Sequence, residues 1–327
     1  MPTKPLESVL YREMSKVEAK NIIDVASPLL EELANYGTNA YVRCATLASG
    51  KENEDVAAII LYLQIVEMTD GIEALVSQSC PAPAIPLVRS SFEALLFLDY
   101  MKPSQNSLFK ADTRVRSVAE NGIWDWFILE LDYVRRSLSW LVGYVHNRLD
   151  SYALLDTSTI RGQSFQQDLA ADDWADPTII TGIGETEVQE AIANLDSLLA
   201  QPQLQSVEEE FQRYFHKYSR RPNWYQLFGG PQNLRELARH LNCHSQYDFL
   251  YRYWSRISHA NDLSRFTSAV LRDPSQNKSV SSFAAGFMLN ATRLILGKFR
   301  PGEDIAEWYK AEIRERYFCI TRTIETK

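Results

Sequence analysis

Apolar residues recur every three or four positions along most of this chain, which is the spacing of one face of an α-helix. The first such segment is Ser15–Tyr36, where Pro28 is predicted to kink or divide the helix, and the shorter Thr38–Ala48 follows it. The remaining predicted helices are Glu52–Ser79, Pro86–Met101, Lys110–Leu149 (one helix or two), Thr186–Ala200, Leu204–Tyr218, Pro231–Leu241, Gln246–Ala260, Ser279–Phe299 and Glu303–Thr323. No strand pattern of any length competes with them. The sequence therefore predicts an all-α protein, a multi-helix bundle.

One long segment interrupts this helical pattern. Residues 150–185 are rich in Asp, Thr, Ser and Gly and show no sustained period. Loops of this length without secondary structure are uncommon in compact domains, so we interpret 150–185 as an irregular insertion or a mobile flap. Because no internal repeat and no clear linker divides the chain, the sequence predicts a single helical domain over 1–327.

Composition and charge narrow the functional classes. The chain has 45% hydrophobic and 23% charged residues and a formal net charge of −8, which weighs against simple duplex binding but leaves RNA open, since a local basic patch can oppose the global charge. There is no signal-peptide core at the N-terminus. Asn290 and Arg293 interrupt Val280–Phe299, the most membrane-like stretch, so we expect a core helix and no membrane association. Four cysteines lack any CxxC spacing, which favours reduced thiols in a cytoplasmic protein: Cys44, Cys80, Cys243 and Cys319.

The first candidate site lies in the apolar stretch Leu87–Tyr100. It places Arg89 and Glu93 four residues apart on one helix face. Charged groups on an apolar helix are costly to bury without a partner. The pair is open to two interpretations: a buried structural ion pair, or an anion site in which Arg89 binds and Glu93 holds its guanidinium.

The second candidate site lies in Tyr251–His259. Arg252, Ser255 and His259 share one face of the predicted helix, and Tyr251 lies close to that face. A phosphate could therefore meet a cation, a hydroxyl and an imidazole together. A packed, purely structural histidine is the alternative for His259.

Other chemistry is weakly indicated. His240 and His244, with Cys243 between them, are four residues apart, a spacing that could place two ligands on one metal, but no third ligand is indicated. The glycines of Gly182-Ile-Gly184 do not follow a strand, so they do not predict a dinucleotide loop. The sequence thus predicts no metal and no cofactor.

Several motifs in order resemble a widespread bacterial family of helical proteins with no assigned function. They are an Arg-Ser-x-x-Glu-Ala helix at 89–94, a connector containing Trp224, a Leu-Ala-x-x-Leu helix at 237–241, and a final helix with Tyr247, Tyr251, Ser255 and His259. The resemblance covers roughly residues 15–265. It identifies a family without assigning a reaction.

More distantly, the helix with Arg252 and His259 is similar to the Arg–spacer–His signature of the HEPN helical-bundle superfamily, although Tyr253 stands where that signature usually has a polar residue. This resemblance implies a metal-independent ribonuclease of a toxin–antitoxin or antiphage system, acting as a dimer on RNA and controlled by a partner encoded nearby. It implies His259 as the general acid or base, and Arg252, with Arg89, as the groups that stabilise the phosphorane. Ser255 and Tyr251 would position the phosphate, and Glu93 would orient an arginine.

Two further classes of function remain open at this stage. One is a non-catalytic helical binding or sensor module, in which the Arg, Glu, Ser and His cluster is structural. The other is a small-molecule or nucleotide binder gated by the segment 150–185.

Overall fold

The computed structural model describes residues 12–48, 53–102, 123–171, 184–254, 274–303 and 305–322. Across these residues the chain is helical and forms no strand, which confirms the predicted all-α class. The α-helices are α1 (Arg12–Ala48), α2 (Val56–Ser77), α3 (Pro81–Met101), α4 (Ile123–Leu155), α5 (Ile160–Ala171), α6 (Glu185–Leu199), α7 (Gln205–Tyr218), α8 (Leu234–His240), α9 (His244–Tyr247), α10 (Pro274–Phe299), α11 (Ile305–Trp308) and α12 (Arg314–Arg322). Two π-helical segments also occur, Asp248–Tyr253 and Tyr309–Ile313.

The chain divides into two compact units. The first combines residues 1–125 with 234–327, and the second comprises residues 126–233. The single domain over 1–327 stays a prediction.

The first unit is built around four long helices, α1, α2, α3 and α10, which pack on one another. Their contact faces are fully buried and consist of large aliphatic and aromatic side chains, among them Leu29, Leu30, Tyr62, Ile65, Phe92 and Met288. Gly37 allows a close approach of two helices, because a Cβ atom there would lie 2.2 Å from the Met288 Cε. The bundle core therefore lies between α1, α2, α3 and α10.

The first helix is longer than the sequence predicts. It runs unbroken from Arg12 to Ala48 with Pro28 inside it, so the predicted division into two helices is wrong. Proline removes one backbone hydrogen bond and crowds the preceding turn. Here Ala26, Leu29 and Leu30 around it are fully buried, and this packing holds the helix together.

The third helix begins earlier than predicted. It starts at Pro81 instead of Pro86, so that Pro86 falls inside it. Pro81 and Pro83 lie in the first turn, where the backbone N–H groups have no intrahelical acceptor, so the helix can begin there. The change extends α3 towards its N-terminus and leaves Arg89 and Glu93 well inside it.

The second unit contains most of α4 together with α5, α6 and α7. Val142 and Val145 on α4, Val188 on α6 and Phe211 on α7 are buried. The connector that follows α7 forms a short 3₁₀ turn, Trp224–Gly229. Its Trp224 packs closely on α4, because a Cβ atom at Gly143 would lie 3.0 Å from the Trp224 Cβ.

The predicted irregular segment 150–185 is largely helical where the structure describes it. Helix α4 continues to Leu155, and α5 occupies Ile160–Ala171. Residues 172–183 lie outside the described residues. Between the two helices, Asp156 accepts hydrogen bonds from the backbone N–H and the hydroxyl of Ser158. These hydrogen bonds stabilise a short turn between the two helices, so the polar residues at this point belong to a turn and not to a long irregular loop.

A hydrogen-bonded contact between a histidine and a glutamate in the second unit predicts acid sensitivity. His146 Nε2 on α4 lies 2.8 Å from Glu208 Oε2 on α7, and Gln212 donates to the same carboxylate. Burial alone would raise the pKa of Glu208, but the hydrogen bonds from His146 and Gln212 outweigh it and lower that pKa. A carboxyl group with a lowered folded-state pKa stabilises the fold above its unfolded pKa, about 4.3, and loses this contribution as the pH falls through the folded value.

We therefore expect Glu208→Gln to lower the free energy of unfolding of the second unit by about 0.5–1.5 kcal/mol at neutral pH. The difference from wild type should shrink as the pH falls below about 4. Denaturant melts followed from neutral pH to about pH 3 measure this. Glu209→Gln, at an exposed neighbouring position, is the control and should behave like wild type. If the stability difference between wild type and Glu208→Gln stayed the same at acid pH, the lowered pKa of Glu208 would be contradicted.

Among the described residues, one helix has the length and composition to cross a membrane. This stretch, Ser275–Phe299, is 56% buried over its most apolar window. Core helices of globular proteins pass the same test, so this is weak evidence for a membrane span. Within the first unit it is the central helix α10.

Candidate functional site

The segment after α8 positions the second predicted cluster. It continues from α9 into the π-helical Asp248–Tyr253, and the described part ends at Trp254. Leu250 and Trp254 are buried, and the Trp254 ring meets Phe283 of α10 at 5.6 Å. These apolar contacts hold the segment against the bundle and fix the direction of Tyr247 and Tyr251.

The predicted helix over Gln246–Ala260 is π-helical at Asp248–Tyr253. A regular α-helix over Gln246–Ala260 would place Tyr251, Ser255 and His259 on one face. Within the described part of the segment, side chains four residues apart still face each other, as Tyr247 with Tyr251 and Asp248 with Arg252 do. Ser255 and His259 lie outside the described residues. Short π-helical turns are frequent at functional sites.

Arg89 of α3 stacks on this segment. Its guanidinium carbon lies 4.4 Å from the centre of the Tyr251 ring. The Tyr251 ring in turn stacks on Tyr247, with ring centres 4.6 Å apart and an angle of 11° between the planes. The three side chains form one stack, which we call the Arg89–Tyr251–Tyr247 stack. A cation over an aromatic face contributes about 0.5–2 kcal/mol, more when it is shielded from water.

Two polar atoms in the stack lack partners. The Nε atom of Arg89 and the hydroxyl of Tyr251 are both shielded from solvent, and neither has a hydrogen-bond partner in the part of the chain that the structure describes. A buried donor left unsatisfied costs about 1–3 kcal/mol. An oxygen-rich group such as a phosphate would supply acceptors for both.

Glu93 does not form the ion pair that the sequence suggests. Among the described residues no ion pair of 4.0 Å or less joins it to Arg89, whose guanidinium lies over Tyr251 instead. Burial raises the pKa of Glu93, and the nearby positive charge of Arg89 opposes this rise in part. Glu93 and Arg89 therefore interact electrostatically without forming an ion pair.

Arg252 faces solvent. Its side chain is 67% exposed, and its Nε lies 3.5 Å from Asp248 Oδ1 one turn earlier. The same oxygen lies 3.7 Å from the Nε of Arg235 on α8. Asp248 thus lies within ion-pair distance of two exposed guanidinium groups beside the Arg89–Tyr251–Tyr247 stack and partly neutralises them.

Of the predicted cluster, the described residues are Arg89, Glu93, Tyr251 and Arg252. Arg89 and Tyr251 are in contact, Glu93 is near Arg89, and Arg252 lies on the solvent side of the same π-helix. Sequence reasoning did not assign Tyr247, Asp248 or Arg235 to the site. The spacing of four residues from Tyr247 to Tyr251 and from Asp248 to Arg252 was the available signal for the first two, whereas Arg235 belongs to a separate helix.

In the described parts of the chain, no group of three or more His, Cys, Asp or Glu side chains is arranged to hold a metal ion. The ring of His240, one of the two weak metal candidates, stands edge-on to Tyr100 at 5.8 Å.

Comparison with known proteins gives one result. Residues 104–276, just over half of the chain, match the model of a family of unknown function, DUF5677. The matched region includes Tyr251, Arg252 and His259 and begins after α3, which carries Arg89. No curated protein and no solved structure matches.

Proposed function

We propose that this protein, which belongs to the DUF5677 family of unknown function, is a metal-independent, ribonuclease-like effector that binds RNA at the Arg89–Tyr251–Tyr247 stack. One observation carries this proposal. Arg89 lies over the Tyr251 ring, and its Nε is shielded and has no hydrogen-bond partner among the described residues. This arrangement offers a planar, charged donor for a phosphate.

The chemistry of single-stranded RNA suits this surface. Proteins bind it by combining cations for the phosphates with aromatic and guanidinium planes on which bases stack. The Arg89–Tyr251–Tyr247 stack supplies both kinds of group, and the exposed Arg252 and Arg235 add positive charge beside it. Asp248 restrains these two arginines and limits nonspecific attraction.

The proposed reaction is an internal transesterification. The ribose 2′-oxygen attacks the phosphorus as His259 removes its proton, the bond to the 5′-oxygen breaks, and an acid returns a proton to that leaving oxygen. Arg252 and Arg89 stabilise the charge on the phosphorane. Ser255 and Tyr251 position the phosphate, and Glu93 orients Arg89 through its charge. The products are a cyclic phosphate and a free 5′-hydroxyl.

The biological setting follows from the resemblance to the HEPN superfamily. We propose a cytoplasmic homodimer in a bacterial defence or toxin-type system, held in check by a protein encoded nearby. Light scattering of the purified protein checks the dimer.

Binding of RNA tests the role of the stack. We expect Arg89→Met to weaken binding of single-stranded RNA about ten-fold, equivalent to about 1.4 kcal/mol. Arg252→Gln should lower the slope of log affinity against log salt concentration by about 1, because one phosphate contact is lost. Fluorescence anisotropy with a labelled oligonucleotide at several salt concentrations measures both.

A matched control is available in the second unit. Arg148 lies over Tyr152 at 4.9 Å and donates a hydrogen bond to its hydroxyl, on an exposed surface of α4. Arg148→Met removes a similar arginine–tyrosine contact and should leave RNA affinity unchanged. Wild-type affinity in a folded Arg89→Met protein would contradict the proposed binding site.

A structural role for the stack is the second candidate function. It is favoured by the link that Arg89 makes between α3 and the segment of Tyr251. In that case Arg89→Met lowers the melting temperature and leaves RNA affinity alone. Thermal melts run beside the anisotropy measurements separate the two roles.

A further inference from the structure

A cavity of about 580 Å³ opens in the first unit. Its walls come from α3, from α10, from Cys243 and Gln246 beside α9, and from Tyr317 of α12. Cavities of roughly 300–1,000 Å³ are typical of small-molecule sites. The lining begins at Phe92 and does not include Arg89, Tyr247 or Tyr251, so this cavity is separate from the proposed RNA site.

The cavity is long and has an apolar floor. Phe92 and Leu96 line it from α3, and Phe283 and Phe287 line it from α10. Along α10 the lining extends from Lys278 to Leu294, which corresponds to about 24 Å of helix. An occupant that covers this floor is therefore an elongated apolar molecule.

The two ends of the cavity differ in exposure and charge. Asn290 and Arg293 at one end are exposed to solvent. At the other end, the Nζ atom of Lys278 is shielded from water and has no hydrogen-bond partner among the described residues. Its burial lowers the pKa of Lys278. Shielding an ammonium group from water without a partner costs free energy. The carboxylate of a ligand would supply the missing partner.

The cavity is also bounded by a residue without a side chain. Gly286 lies in the middle of α10, on the wall of the cavity. A Cβ atom there would lie 3.3 Å from the hydroxyl of Tyr317, which also lines the cavity. A side chain as large as leucine at this position would crowd Tyr317 and narrow the cavity.

We propose that this cavity binds a long-chain carboxylic acid. The carboxylate pairs with the ammonium of Lys278, and the alkyl chain lies along Phe283, Phe287, Phe92 and Leu96 towards Asn290. The acid is favoured over a neutral lipid because the shielded ammonium of Lys278, without a hydrogen-bond partner among the described residues, lines the cavity beside this apolar floor.

Calorimetric titration of the full-length protein with tetradecanoic acid and with tetradecanol, both below their micelle concentrations, tests this proposal. The wild-type protein should bind the acid about ten-fold more tightly than the alcohol, because a charge-assisted contact in a dry site separates the two ligands. Lys278→Met should remove this difference and leave alcohol binding in place. Gly286→Leu should weaken both.

Lys20→Met is the control, since Lys20 is an exposed lysine of the same unit, paired with Asp24. It should bind both ligands like wild type. Equal affinity of the wild-type protein for acid and alcohol, or binding of neither, would overturn the proposal. So would wild-type affinity for the acid in Lys278→Met. The comparison of acid with alcohol on the wild-type protein remains decisive if a variant fails to fold.

Discussion

Tyr62→Ala is expected to lower the free energy of unfolding of the first unit by about 3–5 kcal/mol. Tyr62 is fully buried between α2 and α10, and its hydroxyl lies 2.9 Å from that of Thr292. Truncation removes a large apolar surface, leaves a cavity and deprives Thr292 of its partner. Denaturant unfolding followed by circular dichroism measures the loss.

Two further variants separate the causes of this loss. Tyr62→Phe keeps the ring and removes only the hydrogen bond, so it should cost about 1–3 kcal/mol. Leu47→Ala, at a position on α1 that is 49% exposed, should change stability by less than about 0.5 kcal/mol. If Tyr62→Ala cost no more than Leu47→Ala, the four helices would not share the core described here.

His259→Ala is expected to reduce the rate of RNA cleavage by about 10²–10⁴-fold. This follows from its proposed role as the group that moves the proton of the attacking 2′-hydroxyl. The fold should be retained, because the imidazole acts on the substrate and need not support the core. Single-turnover cleavage of a labelled RNA, with EDTA present, measures the rate.

The control for this variant is His216→Ala, since His216 is an exposed histidine of α7. It should cleave RNA at the wild-type rate. If a folded His259→Ala protein cleaved as fast as wild type, another residue or another protein in the sample would be responsible. A large drop in melting temperature without any cleavage by wild type would instead favour a structural role for His259.

Helical periodicity predicted most of the fold because burial of one face determines where these helices form. The predicted Thr186–Ala200 and Leu204–Tyr218 correspond closely to α6 and α7. The errors occur where tertiary packing overrides a local signal. Pro28 should break α1 by local rules, yet the buried leucines around it keep the helix continuous.

The predicted site was only partly accessible from sequence for a different reason. The predicted pairing of Arg89 with Glu93 follows from helical spacing within one element, but it does not describe the structure. The actual neighbour of Arg89 is Tyr251, far away in the chain, and no local pattern specifies that contact. Leu250 and Trp254, in and directly after the π-helix, are likewise buried, and Trp254 contacts Phe283, which is distant in the chain.

The cavity could not be predicted from local sequence patterns either. Lys278, Gly286 and Phe92 look unremarkable in the sequence, because each is compatible with an ordinary core helix. Only the packing of α3 against α10 places them around one space.

Analysis of the RNA ends left after incubation with the purified protein in EDTA tests the central claim most directly. We predict fragments with 2′,3′-cyclic phosphate and 5′-hydroxyl ends from the wild-type protein and none from His259→Ala. Absence of cleavage by the wild-type protein, or fragments that carry 5′-phosphates, would contradict a metal-independent ribonuclease centred on this site.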